Sequence, residues 1–475
     1  MGIFFGDDVV TRLLAIPAAF LILLVGAIVW SGGSAQKAAD FTYIDRGDII
    51  TLDLNQVSYM QDFRMLYAIR EGLYSPEGVT LKPIPAGATG YELSDDKKTW
   101  TFHLRPGARW TNGDPVTARD YVFSWRRLLE EPGEYTYLFY CIKNAEEYEQ
   151  SYTKGEAIDF KTVGIEAVDD LTFRVTLDNP VPYLLELMAF PVFYPRNERS
   201  MEPFKVPQAG GKSGYRADYT RPAPHAGAPG VVTNGPYELK IWDFKRRLIL
   251  EKSDSYWDKK SITVQRIEKA VNESALGQFL SFQANAAQWL SDVQPDLAAE
   301  LLAKHTPELK SSPAFGTMFI TLMCRPETPD GRKNPLADMR VRQALAMSID
   351  KKFIVDNITR IGELPARTYL PPDGTLPDFR WLPGPFDAAR KAEQPYDDKE
   401  IRKQLTTDLN GPGPGLPRDI EQAKKLLAEA GYPDGKGFPA LPILYNSDNA
   451  MRAKIAQTLK SQWKAALNID FAIET

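Results

Sequence analysis

From Leu13 to Trp30 the chain reads LLAIPAAFLILLVGAIVW, a stretch without one charged residue. At a rise of about 1.5 Å per residue, a helix of that length nearly crosses the roughly 30 Å hydrocarbon core of a bilayer. It has no polar face, so it is a poor candidate for a helix half-buried on a domain. It serves either to span a membrane or to target the chain across one. Asp7 and Asp8 precede it and Arg12 is the one positive residue before it, which makes a weak start for a cleaved secretory signal. The small residues Ser34, Ala35, Ala38 and Ala39 leave cleavage open. The run is nevertheless longer than a usual signal core, so residues 1–40 are expected to form an uncleaved transmembrane anchor (about 13–30) and its linker. No Cys follows closely, which excludes a lipid attached there. What comes after is expected at the periplasmic or extracytoplasmic face of the membrane.

A chain of 475 residues, 43% hydrophobic and 25% charged, is too long for one simple core and should divide into two or three domains. The net charge of -5 leaves no basic excess to neutralise a phosphate backbone, so nucleic acid is not expected as a partner. Cys141 and Cys324 lie far apart, without the spacing of a zinc site or a redox pair. His103, His225 and His305 are each isolated, and there is neither a zincin pair nor a nucleophile elbow. Gly211-Lys212-Ser213 matches the end of a phosphate loop, but Val206 stands where the leading glycine is needed. The expectation is a chain with no catalytic residues, no metal and no cofactor.

Local pattern supplies the elements. Trp100, Phe102 and Leu104 alternate with Thr101 and His103, as in a half-buried strand. Thr117 with Asp120 three residues on is close to a capping box, opening a helix that turns Val122, Trp125 and Leu129 inward. Leu171, Phe173, Val175 and Leu177 alternate after Asp169-Asp170 and should pair in a hairpin with Ile165 and Ala167. Between about 196 and 230 the richness in Gly and Pro predicts an irregular loop. Tyr237, Leu239 and Ile241, then Leu248 and Leu250, predict a second sheet region. The last third turns helical. Asp338 and Asp419 can cap helices, and a further helix from about Asn449 carries Met451, Ile455, Leu459, Trp463 and Leu467 before a strand with Ile469, Phe471 and Ile473.

Four blocks carry a resemblance. The first is Trp100-Thr101-Phe102-His103-Leu104-Arg105, continuing through Trp110 and Asn112-Gly113-Asp114-Pro115-Val116-Thr117-Ala118 to Asp120 and Ser124-Trp125. The second is Thr233-Asn234-Gly235-Pro236-Tyr237 with Leu250-Glu251-Lys252 and Tyr256-Trp257. The third runs from Asp338 to Asp350, and the fourth from Ala423 to Tyr432 with Tyr445-Asn446 after it. In this order they resemble the extracytoplasmic solute-binding proteins of ABC transporters, in the large peptide- and nickel-binding family that includes oligopeptide-binding proteins.

The resemblance implies an α/β, two-lobed periplasmic binding protein-like fold with an extra inserted domain. Residues 41–70 and 190–285 would form the first lobe, 71–189 the inserted domain, and 286–475 the second lobe. It implies a monomeric, non-enzymatic receptor that closes on a peptide in an interlobe cleft and hands it to the permease subunits of an importer. Val57, Ser58, Tyr59 and Met60 would lie on the first-lobe strand flanking the ligand, and Tyr135 or Tyr137 would line the cleft. Other family solutes, nickel and oligosaccharide among them, stay open, as does a sensory or structural module that transports nothing. Members usually continue well beyond a strand like the one ending at Thr475, into a segment whose acidic residue meets the peptide's amino terminus; this chain stops short, which implies a fragment, a part supplied by another polypeptide, or lost ligand capture.

Overall fold

The computed structural model describes residues 38–366, 369 and 416–475, apart from 46, 157, 209–211, 223–229, 311–315 and 448. Two compact units divide at Asp292 and Val293.

In the first unit, strand Thr99–Leu104 lies between Ala88–Leu93 and Thr172–Thr176, with Ile165–Ala167 at the edge, all antiparallel. Trp100, Phe102 and Leu104 point into the core together with Phe173, Val175 and Leu177, while exposed His103 meets Glu92 at 3.1 Å. Leu171 departs from the expected alternation. Its N–H donates to the Asp169 carboxylate at 2.8 Å, so it belongs to the turn and stays 40% exposed. Helix Ala118–Glu130 opens as its sequence predicts, with the Thr117 N–H donating to Asp120 at 2.8 Å. Its Trp125 is enclosed by Phe139, Phe173 and Phe193, each ring meeting it edge-on at 4.9–5.4 Å.

A second sheet has the order Tyr237–Asp243, Arg247–Lys252, Arg266–Ala270, Phe41–Ile44, Trp289–Leu290. The first three strands run antiparallel, while Phe41–Ile44 is parallel to both its neighbours. Segments near residue 40 and near 240–290 thus build one sheet, which extends past 285 through Trp289 and Leu290. The stretch from 196 contains short helical turns and a hairpin of Lys205–Pro207 with Ser213–Tyr215. There Lys212, from the false phosphate loop, donates its Nζ to the Tyr152 carbonyl at 2.7 Å.

The second unit packs helices Met339–Ser348, Ile420–Glu429 and Ala450–Leu467 around Val341, Leu345, Leu427, Leu459 and Trp463. Each starts at its expected cap: Asp338 accepts from Arg340 N, Asp419 from Gln422 N and Asn449 from Arg452 N at 2.8–3.0 Å. Strands Leu441–Leu444 and Phe471–Glu474 pair in parallel beside them. Cys141 is free and half-buried, its thiol pushed up to about 11 by burial, and Cys324 is free and exposed. Among the described residues no helix is long and apolar enough to cross a membrane. The run Leu13–Trp30, on which an anchor is expected, lies outside them.

Candidate functional site

The site is built on a buried charge network. Asp53, almost fully enclosed, accepts from Arg127 Nη1 and Nη2 at 3.0 and 2.9 Å and from Arg196 Nη2 at 3.2 Å. Taking a carboxylate out of water is costly, and burial by itself raises its pKa. The two guanidinium groups outweigh that and hold Asp53 well below the usual carboxylate range. Arg127 also reaches Glu131 at 3.1 Å and the Tyr219 hydroxyl at 3.2 Å, while Arg196 donates to the Ser124 hydroxyl at 2.9 Å. A third buried cation, Arg70, lies within electrostatic reach of the same groups and donates to the Pro195 carbonyl at 3.3 Å.

This network shapes the chain that follows. Asn55 donates from Nδ2 to the Glu131 carbonyl at 2.7 Å and accepts from Arg196 at 2.5 Å, and its N–H donates to Asp53 at 3.1 Å. The N–H groups of Gln56 and Val57 both donate to the Asp53 carbonyl, closing a turn. Val57 and Ser58 follow outside any helix or strand, Tyr59 is the N-cap with extended backbone, and helix Met60–Ile69 begins. The sequence-based expectation of a strand across Val57, Ser58, Tyr59 and Met60 is therefore corrected: the network bends the chain and the helix takes it up at Met60. Val57 is buried, while Tyr59 and Met60 are 53% and 63% exposed. Among the described residues, the N–H groups of Ser58 and Tyr59 and the carbonyls of Val57 and Ser58 have no protein partner.

The Gly133–Tyr137 loop packs against this segment. A Cβ on Gly133 would fall 1.5 Å from the Asn55 carbonyl oxygen, so no side chain fits there. Closeness at Gly133 sets Glu134 beside Ser58, whose hydroxyl donates to its carboxylate. The structure separates the two tyrosines that the sequence leaves as alternatives. Tyr135 packs edge-on against Phe63 at 5.7 Å and Phe190 at 5.3 Å, whereas Tyr137 is 58% exposed. Sequence reasoning missed Asp53, Asn55, Arg127, Arg196 and Glu134. One signal was present: Arg127 stands between Trp125 and Leu128 on a helix face that is otherwise buried, and a charge there requires a partner.

A second polar cluster lies under the same unit. The Glu71 carboxylate accepts from the Tyr256 hydroxyl at 2.6 Å and from Trp257 Nε1 at 2.7 Å, and burial pushes it up to about 7. The Asn234 side chain bonds both the N–H and the carbonyl of Glu71, and the Arg105 guanidinium lies 3.6 Å over the Trp257 ring. A Cβ on Gly235 would come within 2.4 Å of the Arg70 nitrogen. The motif residues Arg105, Asn234, Gly235, Tyr256 and Trp257 thus meet at one place, around Glu71.

Residues 82–475 match the bacterial extracellular solute-binding proteins, family 5 middle. The chain belongs to that family. It is 30% identical over 397 residues to the oligopeptide-binding protein OppA of Bacillus subtilis, covering 83% of this chain and 63% of that one. It is 29% identical over 432 residues to the periplasmic oligopeptide-binding protein OppA of Salmonella typhimurium, covering 90% of this chain and 68% of that one. The chain therefore spans about two thirds of the length of these relatives. Among solved structures it resembles an oligopeptide-binding protein of Borrelia burgdorferi, with a TM-score of 0.71 and 25% identity over 92% of this chain and 75% of the other. The murein tripeptide binding protein MppA of Escherichia coli gives a TM-score of 0.67 and 26% identity, again over 92% of this chain and 75% of that one. The fold is thus of the two-lobed α/β binding-protein class, and the family is one of solute-binding proteins.

Proposed function

We propose that this chain is the substrate-binding component of an ABC-type importer, taking peptides outside the cytoplasmic membrane and passing them to the permease subunits. It holds its guest by the main chain, cleaves nothing, uses no cofactor, acts as a monomer and is tethered through the apolar run Leu13–Trp30. One observation carries the reading. In a chain of this family, the N–H groups of Ser58 and Tyr59 and the carbonyls of Val57 and Ser58 are unpaired among the described residues, on a segment that directly follows the turn held by Asp53 and Asn55. An extended peptide pairs with such groups whatever its side chains, and the fixed geometry lowers the ordering cost of binding. Ser58, Tyr59 and Met60 supply the contact edge and Tyr137 an exposed ring. Val57 contributes its carbonyl, and Tyr135 holds the neighbouring loop in place. The oligopeptide-binding relatives, and a Haemophilus influenzae relative in complex with RPPGFSPFR, favour peptide over nickel or oligosaccharide.

Isothermal titration of the full chain with unmodified tri- to pentapeptides tests this. Binding is expected with a Kd of about 1 μM or tighter, equivalent to roughly -8 kcal/mol. N-methylation of the peptide bonds should weaken it by blocking main-chain pairing. No heat with any peptide, together with binding of a nickel chelate or an oligosaccharide, would overturn the reading.

A further inference from the structure

We propose that Glu134 reads charge for this peptide-binding segment, selecting ligands that place an ammonium or guanidinium group beside Val57–Tyr59. The inference rests on the reading of that segment given above and adds to it a class of ligand.

Three observations converge on Glu134. First, the residue before it lies in close contact with the segment: Gly133 sits too close to the Asn55 carbonyl for any side chain, and the Gly133 N–H donates to the Thr136 hydroxyl at 2.8 Å. Second, the Ser58 hydroxyl donates to Oε2, whereas Oε1 has no partner among the described residues. A carboxylate accepts several hydrogen bonds, and here one oxygen is oriented while the other is open. Third, the Glu134 carboxylate is exposed and no described Lys, Arg or His forms an ion pair with it, Arg127 and Arg196 being engaged by Asp53 and Glu131.

The chemistry of the guest follows. A single carboxylate with one hydroxyl is far short of the six to eight oxygens, roughly, that a calcium ion takes. It suits an N–H cation, for which a charge-assisted hydrogen bond to an oriented carboxylate is about twice as strong as a neutral one. The free carbonyls of Val57 and Ser58 add acceptors for the same group, and the exposed rings of Tyr59 and Tyr137 can receive a cation on their faces. A peptide offers that cation in two ways, as its α-ammonium or as a Lys or Arg side chain.

The test uses four tetrapeptides of one backbone on the full chain: free amino terminus with Lys, N-acetylated with Lys, free amino terminus with norleucine, and both changes together. Titration calorimetry on the wild type should show about tenfold or greater loss of affinity when the cation that Glu134 reads is removed. The arm in which the loss appears identifies that cation. In Glu134→Gln the same affinity ratio should collapse to within about twofold, and Ser58→Ala should shrink it without abolishing it. An unchanged ratio in Glu134→Gln, or no discrimination by the wild type among peptides it does bind, overturns the charge-reading role alone. Failure of the wild type to bind all four peptides overturns the peptide-binding reading as well. A thermal unfolding curve for Glu134→Gln that matches the wild type assigns the change in ratio to recognition rather than to folding.

Discussion

Replacing Arg127 with Met keeps an unbranched stem on the buried face of its helix and deletes the guanidinium. Asp53 then loses its 3.0 and 2.9 Å hydrogen bonds, Glu131 its 3.1 Å partner and the Tyr219 hydroxyl its 3.2 Å donor. Breaking a buried pair by removing one side costs about 3–5 kcal/mol. Arg196 still holds Asp53 at 3.2 Å, and Glu131 is partly open to water, so the lower end, about 3 kcal/mol, is expected. In urea unfolding followed by tryptophan fluorescence, the midpoint of the first unit should fall with its slope unchanged. The pH dependence has a definite sign. A depressed carboxyl pKa adds stability that is present above the unfolded value and is lost as pH falls through the folded one. Arg127→Met raises the Asp53 pKa toward its unfolded value, so the Asp53-linked loss on the acid side should be smaller and complete at a higher pH than in the wild type. Adding Asp53→Asn to Arg127→Met should restore part of the stability, because a neutral amide is cheaper to leave there than a lone carboxylate. A loss below about 1 kcal/mol, or no recovery in the double variant, would refute the view that this network holds the Val57–Tyr59 segment.

Gly133→Ala puts a methyl group into the Asn55 carbonyl and must push the loop away; a loss of about 1–3 kcal/mol is expected, with peptide affinity falling alongside, and wild-type melting would contradict the close packing. Burial raises Glu71 to about 7 and both Asp62 and Asp120 to about 6. Groups with raised folded pKa values contribute stability that is complete below the unfolded carboxylate range and is lost as pH rises through 6 and 7. The melting temperature should therefore decline from about pH 5 to about pH 8, with Glu71→Gln flattening the upper part of the decline. A melting temperature that climbs over this interval would show that other groups dominate.

Local chemistry made much of the fold legible. The Thr117–Asp120 box, the caps at Asp338, Asp419 and Asn449, and the alternation of Trp100, Phe102 and Leu104 each fix an element within a few residues, because their partners lie within a turn or two. What escaped is what depends on distance along the chain. Arg127 is 74 residues from Asp53 and Arg196 is 143, and no periodicity connects them. The strand expected across Val57–Met60 failed for the same reason, since the bend before the helix is imposed by those distant guanidinium groups. Family likeness did not give the conformation of Val57–Met60, and it could not separate Tyr135, whose ring packs on Phe190, from exposed Tyr137. Glu134 stood in the sequence as an ordinary surface acid. Only the contact at Gly133 gives it a fixed place.

The parallel pairing of Phe41–Ile44 with Arg266–Ala270 bears on how the polypeptide acquires its structure during synthesis. Phe41 faces Ile267 across the ladder, so the earliest strand emerges from the ribosome long before its neighbour is made. Closing a loop of that length delays the sheet, whereas the hairpin and helix between residues 99 and 176 can collapse as soon as they appear. The nascent strand must meanwhile stay unpaired, with Tyr43 and Ile44 uncovered, which makes it a natural landing point for a chaperone until the rest of the sheet arrives.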